Sequence, residues 1–125
     1  MSPTWIKRVN STQIVDARVA ILRLRAFKGE KEQLAVINVY VPTQIIATEC
    51  PEATESFYQS LEQIYNYKRE KKKATAVFVI GDYNTKVGRW SEEDSGFMGR
   101  FGKGERSEDG EVLQHFLLSE TTYIL

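Results

Sequence analysis

The sequence predicts an α/β domain, a mixed β-sheet with helices packed on it. Three observations carry this. Two stretches with a period of two are joined by a short glycine-containing turn, an amphipathic stretch with a period near 3.6 follows, and an apolar valine-rich run then returns the chain to the sheet.

Val15, Ala17, Val19 and Ile21 alternate with Asp16, Arg18, Ala20 and Leu22, and the pattern continues through Leu24, predicting a strand over about 15–26. Lys28-Gly29-Glu30-Lys31 reads as a turn. Gln33 to Val41, rich in Val and Ile, is the second strand, stopped by Pro42, and the short connection makes the two an antiparallel hairpin. Arg18 and Arg23 lie among apolar neighbours, as on a sheet with a wet edge.

A loop is predicted after Pro42, then a helix from about Pro51 to Lys71. Pro suits its first turn, and Glu49, Glu52 and Glu55 suit the positive end of its dipole. Phe57, Leu61, Ile64 and Tyr65 fall on one stripe, so one face turns to a sheet. Ala74 to Ile80 is the third strand. A strand, a helix and a returning strand form a crossover, which makes the strands ending at Tyr40 and Ile80 parallel and brings Tyr40 and Asp82 to one edge, where ligands of open α/β sheets sit.

From 85 to 107 the chain is polar and Gly-rich, a long loop over that edge. Ser107 is positioned to cap a helix over 108–119, with Glu108, Asp109 and Glu111 in its first turn and Val112, Leu113, Phe116 and Leu117 toward the core. Thr121 to Leu125 reads as the start of a strand. There is no repeat or linker, so residues 1–125 read as one domain, and as a truncated one.

Composition sets the outer bounds. At 42% hydrophobic and 27% charged the chain is ordinary for a folded domain and unlike a disordered one. Seventeen basic residues balance seventeen acidic ones, so global charge announces no nucleic-acid binder, although a local basic patch suffices for one. Cys50 is the only cysteine, which excludes an intramolecular disulfide and a Cys-rich zinc site and favours an intracellular protein. No apolar run approaches the roughly 20 residues of a membrane span, and no signal-peptide core follows Met1, so no membrane partner is expected.

Asp82 and Asn84 are the strongest pair for chemistry. One spacer residue in an extended segment points both side chains the same way; the carboxylate can bind a hard cation or accept a proton from water, and the amide can hold water or a phosphate oxygen. Gly81-Asp82-Tyr83-Asn84 is equally good turn chemistry. Tyr40 is a packed aromatic at the end of its strand or a phenol donating to a phosphate, and Asn38 shares its face. Lys68, Arg69, Lys71, Lys72 and Lys73 complement a helix C-terminus or track a DNA backbone. Trp5 and Trp90 could stack on bases. His115 reads as a solvent-facing helix residue.

Taken together, Asp16-Ala17-Arg18-Val19, Val39-Tyr40-Val41-Pro42, Phe57-Tyr58-x-x-Leu61, the run Ile80-Gly81-Asp82-Tyr83-Asn84-Thr85-Lys86-Val87-Gly88, and Gly99-Arg100-Phe101-Gly102-Lys103-Gly104-Glu105-Arg106 with Gly110 resemble the endonuclease/exonuclease/phosphatase superfamily. Within it they are most similar to the apurinic-type endonuclease domain of non-LTR retrotransposons, and the resemblance covers nearly the whole chain. It implies part of a four-layer α/β/β/α sandwich and Mg²⁺- or Mn²⁺-assisted hydrolysis of DNA phosphodiesters. Asp82 would activate water and hold the metal, Asn84 would help to hold the water, Tyr40 would stand near the scissile phosphate, and Arg100, Lys103 and Arg106 would contact DNA. Acting so, the protein would be nuclear. The resemblance also implies an upstream Glu and a terminal Ser-Asp-His, yet no Glu precedes Glu30, the chain ends at Leu125, and Ser107 stands where relatives carry Asn. Weak or absent activity of the isolated chain is therefore expected. The alternatives are a non-catalytic remnant that binds nucleic acid or a partner, and a phosphatase of the same fold acting on a small phosphorylated substrate.

Overall fold

The computed structural model describes residues 7–25, 33–50, 52–67 and 76–120. The chain divides into two compact units, one of Met1–Val41 with Gln63–Tyr83 and one of Pro42–Glu62 with Asn84–Leu125. The architecture is α/β, with a mixed four-stranded sheet.

The sheet occupies the first unit, with strands β1 (Val9–Ile14), β2 (Val19–Arg25), β3 (Gln33–Tyr40) and β4 (Ala76–Asp82) in the spatial order of the sequence. β1 and β2 are antiparallel, as are β2 and β3, while β3 and β4 run parallel, as the crossover argument predicts. The pairs Val19↔Val39 and Ile21↔Ile37 place four buried side chains on one face, with buried Ala35 two residues along. Each such branched side chain removed from water stabilises the fold by about 1.5–3 kcal/mol. The opposite face carries Asn38 and Tyr40 of β3 beside Ile80 and Asp82 of β4, all four exposed.

Two sequence expectations need correction here. The first strand does not begin at 15. Asp16 Oδ1 accepts the backbone N–H groups of Arg18 at 2.7 Å and Val19 at 2.9 Å, closing a turn, and Val15 N–H reaches Val19 O at 2.9 Å. That turn joins β2 to β1, a strand that went unpredicted because five of its six side chains are exposed and mostly polar, leaving no apolar alternation to read. The other correction is to β4, which does not stop at Ile80: pairing continues through Val39↔Gly81 and Tyr40↔Asp82. Although the run is apolar, its Phe78 is 53% and its Ile80 51% exposed.

In the second unit, α1 (Gln44–Glu49) replaces the predicted loop. It is a short helix with no side-chain cap and no amphipathic repeat, hence silent to pattern reading. α2 (Glu52–Asn66) begins here and runs on into the first unit. Tyr58, Leu61 and Tyr65 are buried along it and Phe57 and Ile64 partly so, matching the predicted stripe. α3 (Glu108–Ser119) has the predicted bounds, with the Ser107 hydroxyl accepting the Gly110 N–H at 3.2 Å and Leu113, Phe116 and Leu117 buried. Between β4 and α3 lies the predicted long loop, containing one 3₁₀ turn at Glu92–Asp94. Pro51, the turn at 28–31, the basic run at 68–73, residues 74 and 75 of the third predicted strand, Trp5 and the terminal strand at 121–125 lie outside the described residues.

Candidate functional site

At the C-terminal edge of the parallel pair, Tyr40 and Asp82 are register partners, and Val41 N–H donates to Asp82 O at 2.9 Å, fastening the two strand ends together. Gly81 makes this possible. Its φ is +137°, and a Cβ there would stand 1.9 Å from Val39 O, so only glycine lets β4 lie this close to β3. Tyr40 is 47% exposed, and Asp82 is exposed as well.

Tyr83 divides Asp82 from Asn84. Its hydroxyl donates to Val79 O at 3.0 Å, and burial pushes its pKa up to about 12, so the phenol stays neutral and anchors the strand end. Asn84 then leaves the extended backbone: φ is 47°, the one positive value among the described non-glycine residues. The expectation that Asp82 and Asn84 share an extended segment is thereby corrected. Asn tolerates this left-handed region better than most residues, and departures of this kind cluster at functional sites. Asn84 belongs to the second unit, where it lines a cleft of about 270 Å³ with Thr85, Lys86 and Ser107.

Arg18 belongs to the site and was read in the sequence only as part of a strand motif. Tyr40 N–H donates to Arg18 O at 2.9 Å, Arg18 Nη1 donates to Tyr40 O at 3.4 Å, and the guanidinium carbon lies 5.6 Å from the Tyr40 ring centroid. A cation thus stands against the ring of the tyrosine that shares its strand end with Asp82. The available signal was the spacing: with Arg18 just before β2 and Tyr40 closing β3, antiparallel pairing of β2 with β3 brings them to the same edge. Asn38, the other polar residue on this face, is exposed.

Three cations of the long loop were expected to contact DNA, and their settings differ. Arg100 is exposed and stacks over Trp90 at 4.9 Å from the ring centroid, and Lys103 is exposed. Arg106 is engaged within the fold: Nε donates to Val87 O at 2.8 Å, Nη1 to Gln114 Oε1 at 2.7 Å and Nη2 to Asp94 Oδ1 at 2.6 Å. Asp94 is 1% exposed, and its other oxygen accepts the Ser91 N–H and hydroxyl. Burial works to raise the Asp94 pKa, but the hydrogen bonds from Arg106 and Ser91, with the Arg106 charge, hold it below the usual carboxylate range. Arg106 therefore ties the loop to α3.

Among the described residues no three His, Cys, Asp or Glu side chains gather as a ready-made metal cage. Asp82 is the carboxylate at the sheet edge, an oxygen donor suited to a hard ion. His115 is exposed on α3, as predicted. No helix among the described residues is long and apolar enough to cross a membrane.

Comparison with known proteins bears on 91 residues of the chain. Over them it is 38% identical to craniofacial development protein 2 of Bos taurus and 37% identical to the protein of that name from Tragulus javanicus. No protein-family model and no solved structure matches. The match takes in 72% of this chain and 14% of each relative, so the chain is homologous in part to craniofacial development protein 2 and spans a small share of that protein's length.

Proposed function

We propose that this chain is part of an endonuclease/exonuclease/phosphatase-type domain of the retrotransposon-endonuclease kind, and that its sheet edge serves metal-assisted hydrolysis of DNA phosphodiesters. The observation that carries the reading is the Tyr40↔Asp82 register, which gives a phenol and a carboxylate at one exposed edge of parallel strands. The similarity to craniofacial development protein 2 and the motif pattern of the sequence support it.

In this reading Asp82 orients the attacking water and accepts its proton, and it is the hard oxygen ligand offered to Mg²⁺ or Mn²⁺. Such an ion, when bound, would supply charge stabilisation to the anionic transition state, with Asp82 as a carboxylate that would hold it. Tyr40 donates a hydrogen bond from its phenol O–H to a non-bridging phosphate oxygen. Arg18 adds positive charge beside that ring, and Asn84 holds the water. Arg100 and Lys103 meet the DNA backbone, each adding salt-dependent affinity, while Arg106 orders the loop that carries them.

The test is nicking of supercoiled DNA with Mg²⁺ by the natural chain and by Asp82→Ala, beside a binding readout that does not require turnover. Mn²⁺ should broaden the backbone amide signals of residues 81–84 in the natural chain and not in Asp82→Asn. Nicking, where present, should fall by roughly 100-fold or more in Asp82→Ala. Equal nicking by both proteins, or equal Mn²⁺ broadening in Asp82→Asn, removes Asp82 from the site. DNA binding without cleavage, unchanged in Asp82→Ala, would favour a binding module.

A further inference from the structure

A second surface lies wholly within the second unit, between α2 and α3. A groove of about 460 Å³ is floored by Tyr58 and Phe116, whose rings pack at 5.5 Å between centroids, and its rim carries Glu55 and Glu62 from α2 and Glu108 and Glu111 from α3. The two floor residues are each 5% exposed, and all four glutamates are exposed. Among the described residues none of the four has an ion-pair partner. Helix dipoles account for Glu55, Glu108 and Glu111, which stand in first turns. They do not account for Glu62, two turns further along α2 and on the same rim.

We propose that this groove docks an arginine- and lysine-bearing segment of a protein partner. Four exposed carboxylates on one rim present negative charge that an incoming cation complements and a nucleic acid does not. The apolar part of the lining suits the same side chains, because arginine and lysine lay their aliphatic stems on apolar surface while their heads reach the rim. An acidic rim over an aromatic floor is thus complementary to a basic segment in both charge and shape, and the volume suits a few such side chains. This surface shares no residue with the sheet edge and does not depend on the reading given to it.

The experiment uses the full chain and a short fluorescein-labelled peptide of arginine and leucine, followed by anisotropy at low and moderate salt. Glu62→Lys with Glu111→Lys reverses the rim; Glu92→Lys with Glu93→Lys makes the same change in net charge on the exposed 3₁₀ turn. Binding should weaken by roughly tenfold or more in the rim variant and by less than about twofold in the control, and should weaken with salt. Equal weakening in both pairs, or equal binding of a glutamate-and-leucine peptide, overturns the proposal. Lysine is as good a helix former as glutamate, so Glu62→Lys against Glu92→Lys alone decides the matter if the double variant melts early. Sedimentation supplies the remaining arm. The chain has its own basic stretch at Lys68, Arg69, Lys71, Lys72 and Lys73, and self-association abolished by Glu62→Lys would make the occupant a second copy and overturn the assignment to another protein.

Discussion

A methyl group on Gly81 would meet the Val39 carbonyl oxygen at 1.9 Å in a backbone with φ of +137°, so clash and strain fall together on the residue before Asp82. Gly81→Ala should cost about 3 kcal/mol in urea unfolding, and should disturb the amide shifts of Tyr40 and Asp82 more than those of β1. Asp94 provides a pH-dependent test. Its pKa is lower folded than unfolded, so its ion pair stabilises the fold fully above the ordinary carboxylate value of about 4 and loses that contribution as pH falls through the folded value. Asp94→Asn should therefore be less stable than the natural chain at neutral pH, by about 2–4 kcal/mol for a half-broken buried pair. The two should converge on acidification, and melts from neutral pH to about pH 3 check both the size and the sign. Neither effect was legible in the sequence. Gly81 reads there as part of a turn, and the partners of Arg106 lie eight to nineteen residues away across a loop whose path no local pattern encodes.

For whole elements, legibility followed the source of their stability. α3 was readable because its signals are local: a capping serine, acids in the first turn and an apolar stripe. The β2–β3 hairpin and the parallel β4 followed from alternation and from the length of the crossover. β1 and α1 were silent because each is held by what it pairs with or follows, and neither carries an apolar period of its own. The start of α3 also joins two segments, since the Ser107 hydroxyl takes the N–H groups of Gly110 and Lys86 and lies 3.0 Å from Thr85 Oγ1. Ser107→Ala should accordingly cost about 1–2 kcal/mol, at the upper end for an N-cap, and thermal melts with backbone shifts at Thr85 and Lys86 check it. Gly110, which costs a helix about 1 kcal/mol relative to alanine, is required in the first turn because a Cβ there would sit 2.2 Å from Lys86 O.

On the scale of the molecule, β4 ends the described sheet with Phe78 and Ile80 uncovered beside the polar pair Tyr40 and Asp82. An apolar strand at a sheet edge is a template for pairing with another chain, and natural proteins blunt such edges with charge. Phe78→Lys with Ile80→Lys should lower light scattering at high protein concentration while leaving the circular dichroism spectrum of the folded chain in place; unchanged scattering would place the sticky surface elsewhere. The shared strand end of Tyr40 and Asp82 was legible in the pattern. The left-handed backbone of Asn84 follows from no spacing rule, and the place of Arg18 against the Tyr40 ring depends on tertiary pairing.

The stack of Arg100 on Trp90 has a practical consequence. An indole under a guanidinium is an optical probe built into the loop that carries the proposed DNA contacts, and Trp5 is the only other tryptophan. In a Trp5→Phe background the emission of Trp90 reports, without any label, whether Arg100 stays on its ring or turns to a phosphate, so DNA docking and loop rearrangement become visible in one cuvette.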